Sequence, residues 1–234
     1  MVFDGYARGP STKDHEHKRR MENKVVAPDV CFDETMAAVF DQQAFLANDY
    51  NKERLISKLV HHLTVEGFIV EQSDGDGDAD IDIVSKALVM AHEKKESTAV
   101  VAEDTEILVM LAFHWTPKMS DVWFVSESNR KGCRIQKKLN IHDLQQKLGI
   151  SACHKLLVIH VLGGCDTTCA IYGHGKRTIF SMVNKQTSES VTEVMHSQHA
   201  TQDEVLKAGF QLMAVTHGCS PSDESRTAEC LNKM

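Results

Sequence analysis

Thr98-Ala-Val-Val-Ala-Glu-Asp-Thr-Glu-Ile-Leu-Val-Met-Leu-Ala-Phe113 carries the change of backbone from which the fold class follows. Residues 98–102 are small or β-branched and uninterrupted by charge, the signature of a strand buried on both faces. Asp104 then stands where a helix N-cap is needed, since its carboxylate can accept the N–H groups left without partners at a helix start. The apolar run to Phe113 continues as that helix. A buried strand leading within a few residues into a capped helix is the repeating unit of an α/β sheet.

The flanking sequence repeats the alternation. Leu55, Ile56, Leu59, Val60 and Leu63 recur at helical spacing over residues 51–64, and Phe68-Ile69-Val70 follows as a strand. Residues 73–80 read as an acid-rich loop, and residues 81–92 as a helix with Ile83, Val84, Ala87, Leu88 and Ala91 on one face. Further on, Trp123-Phe124-Val125 and Arg134-Ile135-Gln136 flank the turn-prone residues 129–132 as a hairpin or strand pair. Helices are expected over residues 141–148, 152–162, 177–184 and 203–215. At the N-terminus, Met1 to Phe3 reads as a strand that delivers Asp4 into a loop, followed by a basic helix or arm over residues 13–24. The expected fold is therefore α/β, a mainly parallel central sheet with helices on both faces and a helical C-terminal part.

In such sheets ligands bind beyond the carboxyl ends of the strands. Asp4, the run Asp78-Ala-Asp-Ile-Asp82, and Asp104 with Glu106 all fall at or after expected strand ends. Carboxylates without a Cys or His ligand pattern suit Mg²⁺ or Mn²⁺ rather than zinc. Two such ions about 3.5–4 Å apart can activate a water and stabilise the leaving oxygen in phosphodiester hydrolysis. A single acid on a loop is more ordinarily a solvated carboxylate or a helix cap, so the weight lies in the set. An EF-hand over residues 74–85 fails, because Ala79 occupies the glycine position and Ser85 the closing glutamate position. Cys165 and Cys169 invite a zinc reading, but no second pair completes four ligands and that reading is set aside. The histidines are read as bystanders. The turn Gly173-His174-Gly175 opens a helix with Lys176 and Arg177, offering backbone N–H groups and positive charge to a phosphate backbone.

Taken in order, Val2-Phe3-Asp4-Gly5-Tyr6, Lys13, Lys18-Arg19-Arg20, the acid pairs, Gly164-Cys165-Asp166 and Gly173-His174-Gly175-Lys176-Arg177 resemble the nuclease core of the flap-endonuclease group within the PIN-like superfamily. The chain is also similar to PIN-like proteins of animal genomes that carry Gly-Cys-Asp-Thr-Thr. The resemblance runs to about Lys185. It implies that Asp4, Asp104, Glu106 and Asp166 ligate metal, with Glu106 standing where the family more often has Asp. It implies an acid-x-acid pair drawn from Asp78, Asp80 and Asp82, of which Asp80 fits either alignment. Lys13, Arg19 and Arg20 match the region that places basic residues against the scissile phosphate, which gives Asp4, Lys13 and Arg19 catalytic roles. Gly173, Gly175, Lys176 and Arg177 would grip duplex backbone, within a helix-turn-helix-like segment over residues 163–185. The family core begins with an earlier strand bearing another metal-binding Asp; three residues precede Asp4, so that strand is expected to be absent.

The implied organisation is a nuclease core over residues 1–185, a helical extension over 186–219 and a disordered tail over 220–234. Two functions follow. One is a metal-dependent nuclease acting on DNA or RNA, DNA ahead of RNA, with two Mg²⁺ or Mn²⁺ ions. The other is a catalytically weak or inactive PIN-like module that binds nucleic acid or protein partners. A small phosphatase-like hydrolase is a third reading without a nucleophile motif. The net charge of −7 argues against nucleic-acid binding by bulk charge, although a carboxylate site for cations would itself make the chain acidic. Seven cysteines, an odd set without Cys-x-x-Cys or a secretion signal, suggest reduced thiols in an intracellular protein of nucleus or cytoplasm. The longest apolar stretches are too short to span a bilayer, so no membrane partner is expected.

Overall fold

A computed structural model describes residues 1–3, 25–33, 35–37, 41–73, 79–130, 133–165, 168, 170–187 and 189–218. The fold is mixed α/β, and it divides into two compact units, Met1–Ile83 and Val84–Met234.

In the first unit, strand β1 (Val2–Phe3) pairs in parallel with β2 (Glu71–Gln72). The 68–70 stretch expected to be a strand carries no regular structure, and Ile69 is 81% exposed. The Met1 amine donates to the Ile69 carbonyl at 2.7 Å, and the regular ladder follows where Glu71 donates its N–H to the Met1 carbonyl at 2.9 Å. Two helices, Gln42–Leu46 and Asp49–Val65, start at Asp41 and Asn48, whose side chains accept from the first free N–H groups. Asn51 is fully buried, its Oδ1 accepting from Val30 N–H at 2.7 Å and its Nδ2 donating to the Pro28 carbonyl at 2.9 Å. It satisfies the backbone of an irregular stretch that has no ladder to do so.

The helix Ala79–Val89 runs on into a π-helical turn, Met90–Lys94, closed by Lys95 in the left-handed conformation at φ 56°. In the second unit, β3 (Thr98–Val101) lies parallel to β4 (Val122–Arg130), which pairs antiparallel with β5 (Cys133–Asn140). The hairpin is as expected. The sheet is mixed rather than mainly parallel, because the short hairpin connection forces its two strands to run in opposite directions.

The helix after β3 is Thr105–His114, capped by Asp104, with Ile107 and Leu111 one turn apart and 2% and 0% exposed. Its C-terminal end is held by Gln145, a buried side chain of the Ile141–Leu148 helix, whose Nε2 donates to the carbonyls of Ala112 and Trp115 at 2.8 and 2.9 Å. The remaining helices are Ile150–Leu162, Lys176–Gln186, Glu189–His196 and Gln202–Thr216. Val158, Ile159, Ile179, Val183, Leu212 and Val215 form one buried cluster. Residues 202–216, assigned to an extension by sequence, thus share a core with the segment that carries the glycine-rich motif.

Phe113 packs against the rings of His154 and His196 at centroid distances of 5.2 and 4.6 Å. Burial first, then the charges of neighbouring His154 and His114, hold the His196 imidazole below its ordinary value of 6.5.

Replacing Gln145 with Leu strands two buried carbonyls, which should lower unfolding free energy by about 1–3 kcal/mol in urea titrations. His196 binds its proton more readily when unfolded, so its contribution to stability is complete above about pH 6.5 and is lost as pH falls below that value. Stability should therefore decline as pH falls below about 6.5, and His196→Gln should flatten that decline in denaturation curves taken across it.

Candidate metal centre

Parallel pairing of β3 with β4 ends at Val101–Val125, and Ala102 N–H extends it by one bond to the Val125 carbonyl at 3.0 Å. The chain then turns into the Thr105–His114 helix, so Asp104 and Glu106 stand beyond the carboxyl end of a strand, as sequence suggested. Asp104 Oδ1 accepts the Glu106 N–H at 2.8 Å. This cap uses one carboxylate oxygen and places the acid at the positive end of the helix dipole.

Glu106, in the first turn, points to the opposite end of another helix. Its Oε2 lies 3.1 Å from Nε2 of His160, near the C-terminus of the Ile150–Leu162 helix. His160 is 7% exposed. The contact is close but not aligned as a hydrogen bond, and Nε2 is a buried nitrogen without a hydrogen-bond partner. On the other side of the ring, Nδ1 lies 3.3 Å from Lys176 Nζ. Lysine can only donate, so Nδ1 accepts and the ring proton falls on Nε2, a tautomer assigned from the contacts.

Cys165 completes the group. One ligand atom from each of Glu106, His160 and Cys165 lies within 4.8 Å of the others. The cysteine is set by the turn after Leu162: its N–H donates to the Thr168 carbonyl at 3.1 Å, and its Sγ lies 3.1 Å from Thr168 Oγ1. The Thr168 hydroxyl in turn donates to the Val161 carbonyl at 2.8 Å. Two glycines allow the chain to come this close. A Cβ on Gly163 would lie 2.5 Å from Lys176 Cγ, and one on Gly164, at φ +84°, would lie 2.8 Å from the Ala170 nitrogen.

Of the other residues picked out by sequence, Asp80 and Asp82 lie in the first turn of the Ala79–Val89 helix, within the first unit. Asp82 Oδ2 accepts from the hydroxyl of buried Ser73 at 2.6 Å. Gly175 is the N-cap of the Lys176–Gln186 helix and supplies no side-chain cap; the Thr178 N–H donates to the Gly175 carbonyl at 2.9 Å, which leaves those of Lys176 and Arg177 for another acceptor. Lys176 and Arg177 are exposed on it. Gly173 adopts φ +77° with open space around its Cα. Asp4, Lys13, Arg19, Arg20, Asp78 and Asp166 lie outside the described residues.

Sequence reading passed over His160 and set Cys165 aside. The signal for His160 was faint but present, a single ionisable residue in the otherwise apolar run 156–162. No protein-family model matches the chain, and no curated protein matches it.

The turn geometry makes a graded prediction. Gly164→Ala meets both a left-handed backbone and the Ala170 main chain, and should cost about 2 kcal/mol or more of stability. Gly173→Ala meets only the backbone penalty, about 1–2 kcal/mol. Parallel urea denaturation of the two variants checks the order.

Proposed function

We propose that the chain is a metal-dependent nuclease-like protein of the PIN-like, flap-endonuclease type, hydrolysing phosphodiester bonds of nucleic acid, DNA ahead of RNA. The observation that carries this reading is the nearness of Cys165 to Glu106, since it joins the Gly-Cys-Asp motif to the acid pair after β3, two elements that the resemblance requires to meet. Asp104 and Glu106 offer hard carboxylate oxygens, a donor set that fits Mg²⁺ or Mn²⁺. Such ions, when bound, would activate the attacking water and stabilise the leaving oxygen.

The protein's own residues have separable tasks in this reading. Asp104 spends one oxygen on the helix cap and keeps the other for a cation. His160 orients Glu106 from its buried side. The uncapped start of the Lys176–Gln186 helix, with Lys176 and Arg177, holds phosphate oxygens by N–H donation and charge. Asp4, Asp78, Asp80, Asp82 and Asp166 are the further carboxylates from which a two-ion site would be drawn, and Lys13, Arg19 and Arg20 the cations for the scissile phosphate.

A second reading, a catalytically weak or inactive PIN-like module that binds nucleic acid or protein partners, draws on a specific contact. Glu106 faces His160 at 3.1 Å, so this acid already has a protein partner, which weakens its hold on a cation.

Mn²⁺-dependent cleavage of flap, hairpin and single-stranded substrates decides between them. Under the nuclease reading, Glu106→Gln should lower cleavage by more than the roughly 10–100-fold typical of outer-shell partners, while binding is kept. Replacing both Lys176 and Arg177 with Ala should weaken binding and reduce its salt dependence by about one unit of slope per lost phosphate contact. Binding without cleavage by the unaltered chain would favour the second reading, and no binding of nucleic acid at all would end the nuclease reading and leave the second only its protein-partner form.

A further inference from the structure

We propose that Glu106, His160 and Cys165 form a binding site for a thiophilic divalent cation, zinc or its analogues, distinct in donor chemistry from a carboxylate site for Mg²⁺ or Mn²⁺. Three observations converge on it. The three ligand atoms lie within 4.8 Å of one another, so one ion can reach all of them with only side-chain adjustment, given bond lengths of about 2.0–2.3 Å to nitrogen, oxygen and sulfur. The histidine is 93% buried by its 7% exposure, and its Nε2, the atom facing Glu106, has no hydrogen-bond partner. A buried polar nitrogen without one is costly in a folded protein unless something else binds there.

The third observation is the donor set. Thiolate, imidazole and one carboxylate, with a fourth position left for water, match the three-ligand pattern of open zinc sites. Magnesium, which prefers oxygen ligands in octahedral geometry, is disfavoured by two of the three donors. The ligands come from three places in the chain: a helix start, a helix end and the turn after it. The cysteine pair Cys165 and Cys169 is therefore not needed to complete the site.

Binding has a defined chemical cost. The Cys165 thiol gives its proton to solvent and the sulfur enters as thiolate, with the Thr168 hydroxyl 3.1 Å away able to turn and donate to it. His160 must bind through Nε2, which puts its ring proton on Nδ1. That proton then faces the ammonium of Lys176, 3.3 Å away, so two donors oppose each other. Lys176 is exposed and is free to swing into solvent. The ion and the Lys176–His160 contact are therefore mutually exclusive, and occupancy of the site releases the lysine at the start of the Lys176–Gln186 helix.

Cobalt(II) reports on this directly, because a thiolate ligand gives it an intense near-ultraviolet charge-transfer band that oxygen and nitrogen ligands do not. The full chain, stripped of metal with a chelator, should bind one equivalent of Co²⁺ with that band, and Zn²⁺ should bleach it by displacement. Cys165→Ser should abolish the band, whereas Cys31→Ser, in the other unit, should leave it intact. His160→Gln and Glu106→Gln should each weaken Co²⁺ binding by at least about tenfold with the far-ultraviolet circular dichroism unchanged, and Lys176→Met should tighten it by about tenfold, as the opposing charge is removed. Absence of the band in the unaltered chain, its survival in Cys165→Ser, or an affinity unmoved by Lys176→Met would overturn the proposal. None of these readouts depends on cleavage, so the site stands or falls separately from the nuclease reading.

Discussion

The Glu106–His160–Lys176 contact line is the constraint around which the second unit is arranged. It runs from carboxylate to imidazole to ammonium in steps of 3.1 and 3.3 Å, and each member sits at the end of a different helix. An imidazole buried this deeply cannot rely on water, so its two nitrogens must be met by protein or ligand. The ends of three helices are drawn together for that purpose. Gly163 follows from the same need, since a side chain there would push Lys176 away from the ring, and so does Gly164, whose left-handed backbone turns the chain back toward the site. The apolar cluster of Ile159, Ile179 and Leu212 supplies the hydrophobic gain that holds the helices, while the polar line sets where their ends lie.

What sequence could disclose follows from the range of each signal. The 98–113 stretch is local: a β-branched run, a cap and an apolar helix face are all contained within sixteen successive positions, and the structure places strand, cap and helix there, although the strand is not buried on both faces as expected, since Val100 is buried while Val101 is 69% exposed. The hairpin between β4 and β5 is local for the same reason. The 68–70 stretch misleads because apolar, β-branched residues describe a good strand only when a partner is in register. Here the partner, Val2–Phe3, meets Glu71–Gln72 instead, and the apolar residues precede the ladder, joined to it by the Ile69 carbonyl that accepts from the Met1 amine. The short helix Glu189–His196 gives a weak pattern, with only Val191, Val194 and Met195 as large apolar residues on it. It owes its place to packing against the 202–216 helix rather than to its own periodicity.

The site divides along the same line. Asp104 and Glu106 are legible because a cap and an acid pair are short-range features. The His160 and Cys165 contributions are not, since they lie 54 and 59 positions beyond Glu106 in sequence and are brought to it only by tertiary packing. Spacing rules for zinc sites look for ligands paired within a few residues of each other. A site assembled from a helix start, a helix end and a turn has no such spacing to find.

Sharing of Glu106 gives the two donor sets a common element with opposed demands. A hard cation asks for its carboxylate together with other oxygens; a thiophilic cation asks for the same carboxylate together with sulfur and nitrogen. Asp104 belongs to the first demand alone, being tied to the helix start through the Glu106 N–H, and Cys165 to the second alone. Glu106 therefore occupies the point at which the identity of the bound ion is decided. The consequence reaches Lys176, because its contact with His160 persists only while Nε2 carries the ring proton. An ion held by oxygen leaves that proton in place and the lysine docked, whereas an ion held by nitrogen and sulfur removes it and frees the lysine. The chemistry of the cation is in this way coupled to the position of a positive charge at the helix start, where an anionic ligand would be met.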